Sequence, residues 1–253
     1  MDVSGCAALV TGGGSGMGAE TARLLARAGA RVAVLDVKLD GVRAVAEEIG
    51  GLAVACDVAD AAAGEAAVAE ARAAHGPARI LVNCAGIATG GRLVGRDGPH
   101  DFELFARTIG INLIGSFNMM RLAAADMAGL EPLADGERGL IVNTASVAAY
   151  DGQIGQCAYS ASKGGIVAMT LPAARELARF GVRVMTIAPG IMATPMMAGL
   201  PEDVQASLAE QIPFPSRLGR ADEYARLVMH IAGNVLLNGE TIRLDGAIRM
   251  QPK

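Results

Sequence analysis

Residues 7–18 read Ala-Ala-Leu-Val-Thr-Gly-Gly-Gly-Ser-Gly-Met-Gly. An apolar run, Ala7 to Thr11, stops at a glycine cluster, and a helical pattern takes over from Gly16 to about Ala28. Strand, tight turn and helix follow one another within a few residues. Glycines at 12, 16 and 18 allow the backbone to turn sharply and to approach a diphosphate, with a helix amino end behind it. The spacing departs from the G-x-G-x-x-G fingerprint, and a glycine cluster also serves as a plain turn. The next strand, Arg31 to Asp36, ends in an acid. It lies about 20 residues beyond the first glycine, where a carboxylate accepts hydrogen bonds from adenosine ribose hydroxyls. A solvated strand end is the alternative reading of Asp36. Glycine loop, acid and spacing together favour the ribose. Such a carboxylate repels a 2′-phosphate, so the expected cofactor is NAD rather than NADP.

The alternation continues outward from that unit. Further strands are read at Leu52 to Cys56, Arg79 to Cys84, Gly139 to Ala145, Val182 to Ala188 and Glu240 to Leu244. Helices are read at Leu39 to Ile49, Ala61 to Ala74, Phe102 to Ala128, Cys157 to Phe180 and Asp222 to Ile231. Strands alternating with helices imply a parallel sheet with crossover helices, and strands this apolar suit a sheet covered on both faces. Two stretches break the rhythm: 90–101 after the fourth strand and 190–219 after the sixth. Both leave strand carboxyl ends, where open α/β sheets bind ligands. No linker divides the chain, so residues 1–253 are read as one doubly wound α/β domain of about seven strands, with a substrate loop at about 190–219.

Composition narrows the class. The chain is 52% hydrophobic and only 3% aromatic, with no Trp, so its core is aliphatic. Net charge is −4 and no basic tract stands out, which argues against nucleic acid or an anionic membrane as partner. Neither a signal peptide nor a membrane-spanning run is evident. Cys6, Cys56, Cys84 and Cys157 form no C-x-x-C pair, and His75, His100 and His230 are scattered. A metal site or disulfide framework is therefore not expected, and a cytoplasmic, reducing setting is.

The chemistry is read from Tyr159-Ser160-Ala161-Ser162-Lys163, with Ser146 upstream. Residues four apart share a helix face, so an ammonium stands beside a phenol and is expected to lower its pKa. A tyrosine so tuned works as a general acid or base on an alcohol or carbonyl, with Ser146 hydrogen-bonding the same oxygen. Lysine occurs only at 38, 163 and 253, whereas arginine is used freely elsewhere.

The glycine loop, Asn83-Cys84-Ala85-Gly86, Asn112, Ser146, Tyr159 to Lys163 and Pro189-Gly190 together resemble the short-chain dehydrogenase/reductase family. The resemblance runs along essentially the whole chain, in the same order and spacing. Within the family, residues 143–149, 155–178, 183–190, 212–219 and 238–252 are similar to type II 3-hydroxyacyl-CoA dehydrogenases. The resemblance implies a Rossmann-type fold and an NAD-dependent oxidation of 3-hydroxyacyl-CoA thioesters, or of hydroxysteroids, in a homotetramer. It implies that Gly12, Ser15, Gly16, Met17 and Gly18 hold the diphosphate and that Asp57 and Val58 contact adenine. It places Asn83, Cys84, Ala85 and Gly86 toward the nicotinamide ribose, which Tyr159 and Lys163 also hold, and Pro189, Gly190, Met192 and Thr194 at the nicotinamide end. Ser146, Gln153 and Tyr159 then meet the substrate. Cys84 stands where the family often has Asn, and is read as a packing residue.

Three features keep two readings each. Asn112 is either a solvent-facing helical residue or, by the resemblance, the holder of a water joining Lys163 to solvent. Met192, Met196 and Met197 are either core or a flexible apolar pocket. Arg92 and Arg96 are either solvated charge or a clamp on the phosphates of coenzyme A. Rival functions are a 3-oxoacyl or acetoacetyl thioester reductase and a non-catalytic NAD-binding sensor. The presence of Ser146, Tyr159 and Lys163 argues against the sensor.

Overall fold

The structure, a computed structural model, describes residues 1–96, 98–194, 197 and 201–252. Seven strands form one parallel sheet: β1 (Ala7–Thr11), β2 (Arg31–Asp36), β3 (Leu52–Ala55), β4 (Ile80–Asn83), β5 (Gly139–Thr144), β6 (Val182–Pro189) and β7 (Thr241–Leu244). Their spatial order is β7-β6-β5-β4-β1-β2-β3. The order reverses between β1 and β4, the switch point at which such sheets open a ligand crevice. Helices α1 (Gly16–Arg27), α2 (Leu39–Ile49), α3 (Ala61–His75), α4 (Phe102–Ile109), α5 (Gly115–Ala128), α6 (Cys157–Leu177), α7 (Glu202–Glu210) and α8 (Ala221–Gly233) complete the frame.

Alternation along each strand splits the core in two. Ala8, Val10, Val32 and Val34 face one layer with Leu25 of α1 and Tyr224, Val228 and Ile231 of α8. Leu9, Ala33, Leu35 and Leu81 face the other, with Val68 of α3 and Met119, Ala123 and Met127 of α5. With so few aromatic side chains, helices come close to the sheet and to each other. A Cβ on Gly115 would stand 2.5 Å from Val58 Cγ2, so only glycine lets α5 lie against the segment after β3.

Two expectations needed correction. The stretch Phe102 to Ala128 is helical throughout, but a π turn at Gly110–Ile114 interrupts it. Residues 190–219 are not loop alone. Helix α7 follows Pro201 within them, and a two-residue parallel ladder joins Met192–Ala193 to Gly219–Arg220. The excursion therefore leaves and returns through one pinned base, and Gly219 N donates to Ile191 O at 2.9 Å. Beyond Gly90, Val94–Gly95 and Gly98–Pro99 form a short antiparallel pair.

Candidate active site

The carboxyl ends of the strands bring the expected residues to one edge. After β1 the backbone turns at Gly12 with φ of +63°, and a Cβ there would lie 2.6 Å from Ala85 N. The loop after β1 thus packs on the loop after β4, and Thr11 Oγ1 accepts from Ala85 N at 3.2 Å. Ser15 is exposed, and the first turn of α1 carries no acidic residue. Asp36 closes the other side: its carboxylate accepts from Gly14 N at 3.4 Å and Lys38 N at 3.1 Å. A Cβ on Gly14 would stand 3.3 Å from that carboxylate. A glycine cradle, a helix amino end free of acidic side chains and an acid at the far rim fit a dinucleotide with an unphosphorylated ribose. Gly16, Met17 and Gly18 belong to the first turn of α1.

After β3, Asp57 is exposed and accepts from Ala59 N at 2.9 Å, while Val58 is buried and its carbonyl is held by Asn118 Nδ2 at 3.0 Å. Asn83 does not line the crevice with its side chain. It is 2% exposed, and its amide reaches Asn143 Oδ1 at 2.9 Å and Ser116 O at 3.2 Å while accepting from Thr11 Oγ1 at 3.3 Å. It ties β1, β4, β5 and α5 together beneath the site. Cys84 is half-buried. Burial pushes its thiol pKa up, which suits packing and not nucleophilicity.

Ser146 follows β5, and Tyr159 and Lys163 stand one turn apart on α6. Ser146 Oγ accepts from Ala148 N at 3.1 Å and hydrogen-bonds the Tyr159 phenol. Lys163 is 5% exposed; Nζ donates to Thr144 O at 2.8 Å and lies 5.8 Å from the centre of the Tyr159 ring. The expected depression of the phenol is not what results. Burial raises the Tyr159 pKa above the ordinary value, and the bond from Ser146 opposes this only in part. Burial also pulls Lys163 down to about 8, because an ammonium in an apolar surround loses hydration.

Asn112 is not solvent-facing. It is fully buried inside the π turn, where its Nδ2 donates to Ile87 O at 2.9 Å and Ser162 Oγ at 3.0 Å, and its Oδ1 accepts from Ile87 N at 2.8 Å. The extra residue of the turn rotates it inward, as π turns at functional sites do. A Cβ on Gly86 would meet Asn112 Oδ1 at 3.1 Å and Lys163 Nζ at 3.5 Å, so glycine lets the three meet.

The other candidates divide. Pro189 ends β6, and Gly190 must be small because a Cβ would lie 2.9 Å from Asp245 Cα. Met192 is 6% exposed and belongs to the main core, and Met197 packs on Ile191, Ile212 and Ile248. Both pack in apolar clusters, and Met196 lies outside the described residues. Thr194 O accepts from Met197 N at 2.9 Å at the start of the excursion. Gln153 spends its side-chain amide on Gln251 O at 2.9 Å, tying it to the C-terminal segment. Arg92 and Arg96 are exposed on the hairpin and have no partner among the described residues. Among those residues no cluster of His, Cys, Asp or Glu could hold a metal, and no helix is long and apolar enough to cross a membrane.

Sequence reading passed over Thr144 and Tyr224, whose hydroxyls meet at 2.7 Å under Lys163. Two signals were available. Thr144 closes, with Asn143, a strand that is apolar from Leu140 to Val142, and Tyr224 is one of only three tyrosines in the chain.

Comparison with known proteins agrees with this geometry. A family model described as short chain dehydrogenase matches residues 6–205. The 3-hydroxyacyl-CoA dehydrogenase type-2 of Homo sapiens is 51% identical over 99% of this chain and 97% of its own length. That of Drosophila melanogaster is 50% identical over 99% and 100%. A crystal structure of 3-hydroxyacyl-CoA dehydrogenase type-2 from Mycobacterium avium superposes with a TM-score of 0.92, at 42% identity and 98% coverage of both chains. With its parallel sheet, its glycine turn and its Ser-Tyr-Lys edge, the chain belongs to the short-chain dehydrogenase family.

Proposed function

We propose that the protein interconverts 3-hydroxyacyl-CoA and 3-oxoacyl-CoA with NAD as the redox partner, as a homotetramer. The observation that carries this is the meeting of Ser146, Tyr159 and Lys163 at the end of β5, across the crevice from a glycine turn closed by Asp36. NAD, when bound, would supply hydride chemistry at the substrate's C3. Glycines 12, 16 and 18 and the amino end of α1 would hold its diphosphate, and Asp36 its adenosine ribose. Tyr159 moves the proton on the C3 oxygen, accepting it in oxidation and donating it in reduction. Ser146 hydrogen-bonds that same oxygen as charge develops. Lys163 holds positive charge beside the ring and supports the nicotinamide ribose. The thioester substrate is supported by the named relatives at half identity over nearly the full length.

Burial raises the Tyr159 pKa, so the phenol holds its proton near neutrality, and oxidation, which needs the phenolate, quickens as pH rises.

Replacing Tyr159 with Phe keeps the ring and deletes the proton carrier. Turnover of 3-hydroxyacyl-CoA should fall by at least about 10²-fold while NAD still binds. Steady-state kinetics with fluorescence titration of NAD checks both halves, and near-normal turnover in Tyr159→Phe would place the chemistry elsewhere.

A further inference from the structure

Thr144 occupies a junction. It is the last residue of β5, two positions before Ser146, and its carbonyl accepts the only hydrogen bond that Lys163 Nζ makes among the described residues. Its side chain is held just as firmly. Thr144 Oγ1 lies 2.6 Å from Asn83 O, and a carbonyl can only accept, so the threonine proton goes there. Oγ1 must then accept from the other near hydroxyl, Tyr224 Oη at 2.7 Å. Cys84 Sγ lies 3.7 Å from both Tyr224 Oη and Thr144 Oγ1. The directed part of the group runs from phenol to threonine to backbone carbonyl, with the thiol beside both hydroxyls. Burial keeps both the thiol and the Tyr224 phenol protonated, so every donor in the chain keeps its proton.

Tyr224 reaches this place from the first turn of α8, which packs on α1, the helix behind the glycine turn. It is fully buried and among the largest side chains in the core. No step of the proton transfer uses it. An apolar ring of the same size would fill the space equally well, so the hydroxyl is the feature that needs a reason.

We propose that Tyr224 is a positioning residue that, through Thr144, fixes both the carbonyl anchoring the Lys163 ammonium and the backbone leading into Ser146. This rests on the reading of Ser146, Tyr159 and Lys163 given above. One clamp from α8 then sets the register of both partners of Tyr159, joining the glycine-turn side of the molecule to the proton-transfer side. The titratable groups around Lys163 are Tyr159 on its own helix, Cys84 after β4 and, one hydroxyl removed, Tyr224 on α8. Displacing Ser146 weakens the one hydrogen bond that opposes the rise in the Tyr159 pKa, so the phenol loses its proton at higher pH.

The test compares Tyr224→Phe, Thr144→Ser and Thr144→Val, with Tyr159→Phe in parallel. In Tyr224→Phe, kcat for oxidation should fall about tenfold, with KM for the thioester changed less than about twofold, because misplacement acts on the transition state. The rise of kcat with pH should move to the alkaline side. Thr144→Ser keeps the hydroxyl and should behave as the parent, whereas Thr144→Val should reproduce Tyr224→Phe. A Tyr224→Phe protein with parental kcat and pH profile overturns the clamp, as does one that only melts earlier with its pH profile unmoved. If Tyr159→Phe retains turnover, the reading of the site fails and the clamp with it. If Tyr159→Phe is inactive and Tyr224→Phe is normal, the clamp alone fails.

Discussion

Lys163 is a cation that the fold holds in an unfavourable place. It is nearly fully buried and its pKa is drawn down from 10.5 to about 8. Below pH 8 the folded protein carries the charge at a cost, and the unfolded chain carries it freely. Between about pH 8 and 10.5 the native lysine gives up its proton first, so this penalty fades as pH rises. Lys163→Met keeps the chain's bulk without the charge. It should abolish turnover yet raise stability at pH 7, by up to on the order of 3 kcal/mol, with the gain vanishing by about pH 10.5. Thermal melts of both proteins at pH 7 and pH 10.5 check this; a destabilised Lys163→Met at pH 7 would refute it. Asp36 makes the complementary case at the cofactor end. In the proposed role, Asp36→Ala would remove the ribose acceptor and the repulsion of a 2′-phosphate, so preference for NAD over NADP should shrink by at least about tenfold. Competition binding measures it, and equal affinity of the parent for both cofactors would contradict the role. Single residues of this kind were legible in sequence because their chemistry is unusual where they stand: an acid closing an apolar strand, a lysine among arginines. The sign of the Tyr159 shift was not legible, because it depends on how much water burial removes, and spacing says nothing about that.

At the scale of elements, β7 is coupled to the segment between Ser146 and Tyr159. Arg243 on β7 donates to Asp151 Oδ2 and to Asp245 Oδ2, both at 2.6 Å, reaches Ile248 O at 3.0 Å and lies over the Tyr150 ring. The Arg243 guanidinium holds the Asp151 carboxyl below its ordinary range. A lowered carboxylate contributes stability above its unfolded pKa of about 4, and that contribution is lost as pH falls through the lower folded value. Asp151→Asn should therefore cost about 1–3 kcal/mol at pH 7, and the gap to the parent should close in acid. Chemical denaturation from pH 3 to 7 would show it; a gap that does not depend on pH would mean the pair contributes nothing as charge. Strand and helix bounds were nearly all readable, since β1, β2 and α2 carry their own stop signals in Gly, Asp and Gly. The π turn around Asn112 was not. It arises from tertiary bonds to Ile87 and Ser162, and a helical apolar pattern runs straight across it. Helix α7 was hidden by its flanks, although Glu202 to Glu210 is made of good helix formers placed directly after a proline.

The whole molecule leaves apolar surface that one copy does not cover. Phe102, Phe105, Ile114 and Phe117 along α4, the π turn and α5 are 75%, 38%, 53% and 52% exposed, and Leu171 on α6 is 43% exposed. In a chain with five phenylalanines, three of them face outward on adjoining helices, an apolar patch of the kind the proposed assembly would cover. If the proposed tetramer packs through this patch, Phe105→Glu with Phe117→Glu should split it into smaller species, read by light scattering, while an assembly that persists would place the contact elsewhere. The short ladder between Met192–Ala193 and Gly219–Arg220 bears on a different question. Because the polypeptide departs and comes back at adjacent points, a change of length between them asks little of the seven strands, but the described residues of the excursion lean on the C-terminal segment, where Ile212 and Met197 pack with Ile248 and Phe214 N donates to Gly246 O at 3.3 Å. Any replacement of the excursion would have to keep that contact, so the substrate range proposed for it and the seating of the chain's last residues would change together.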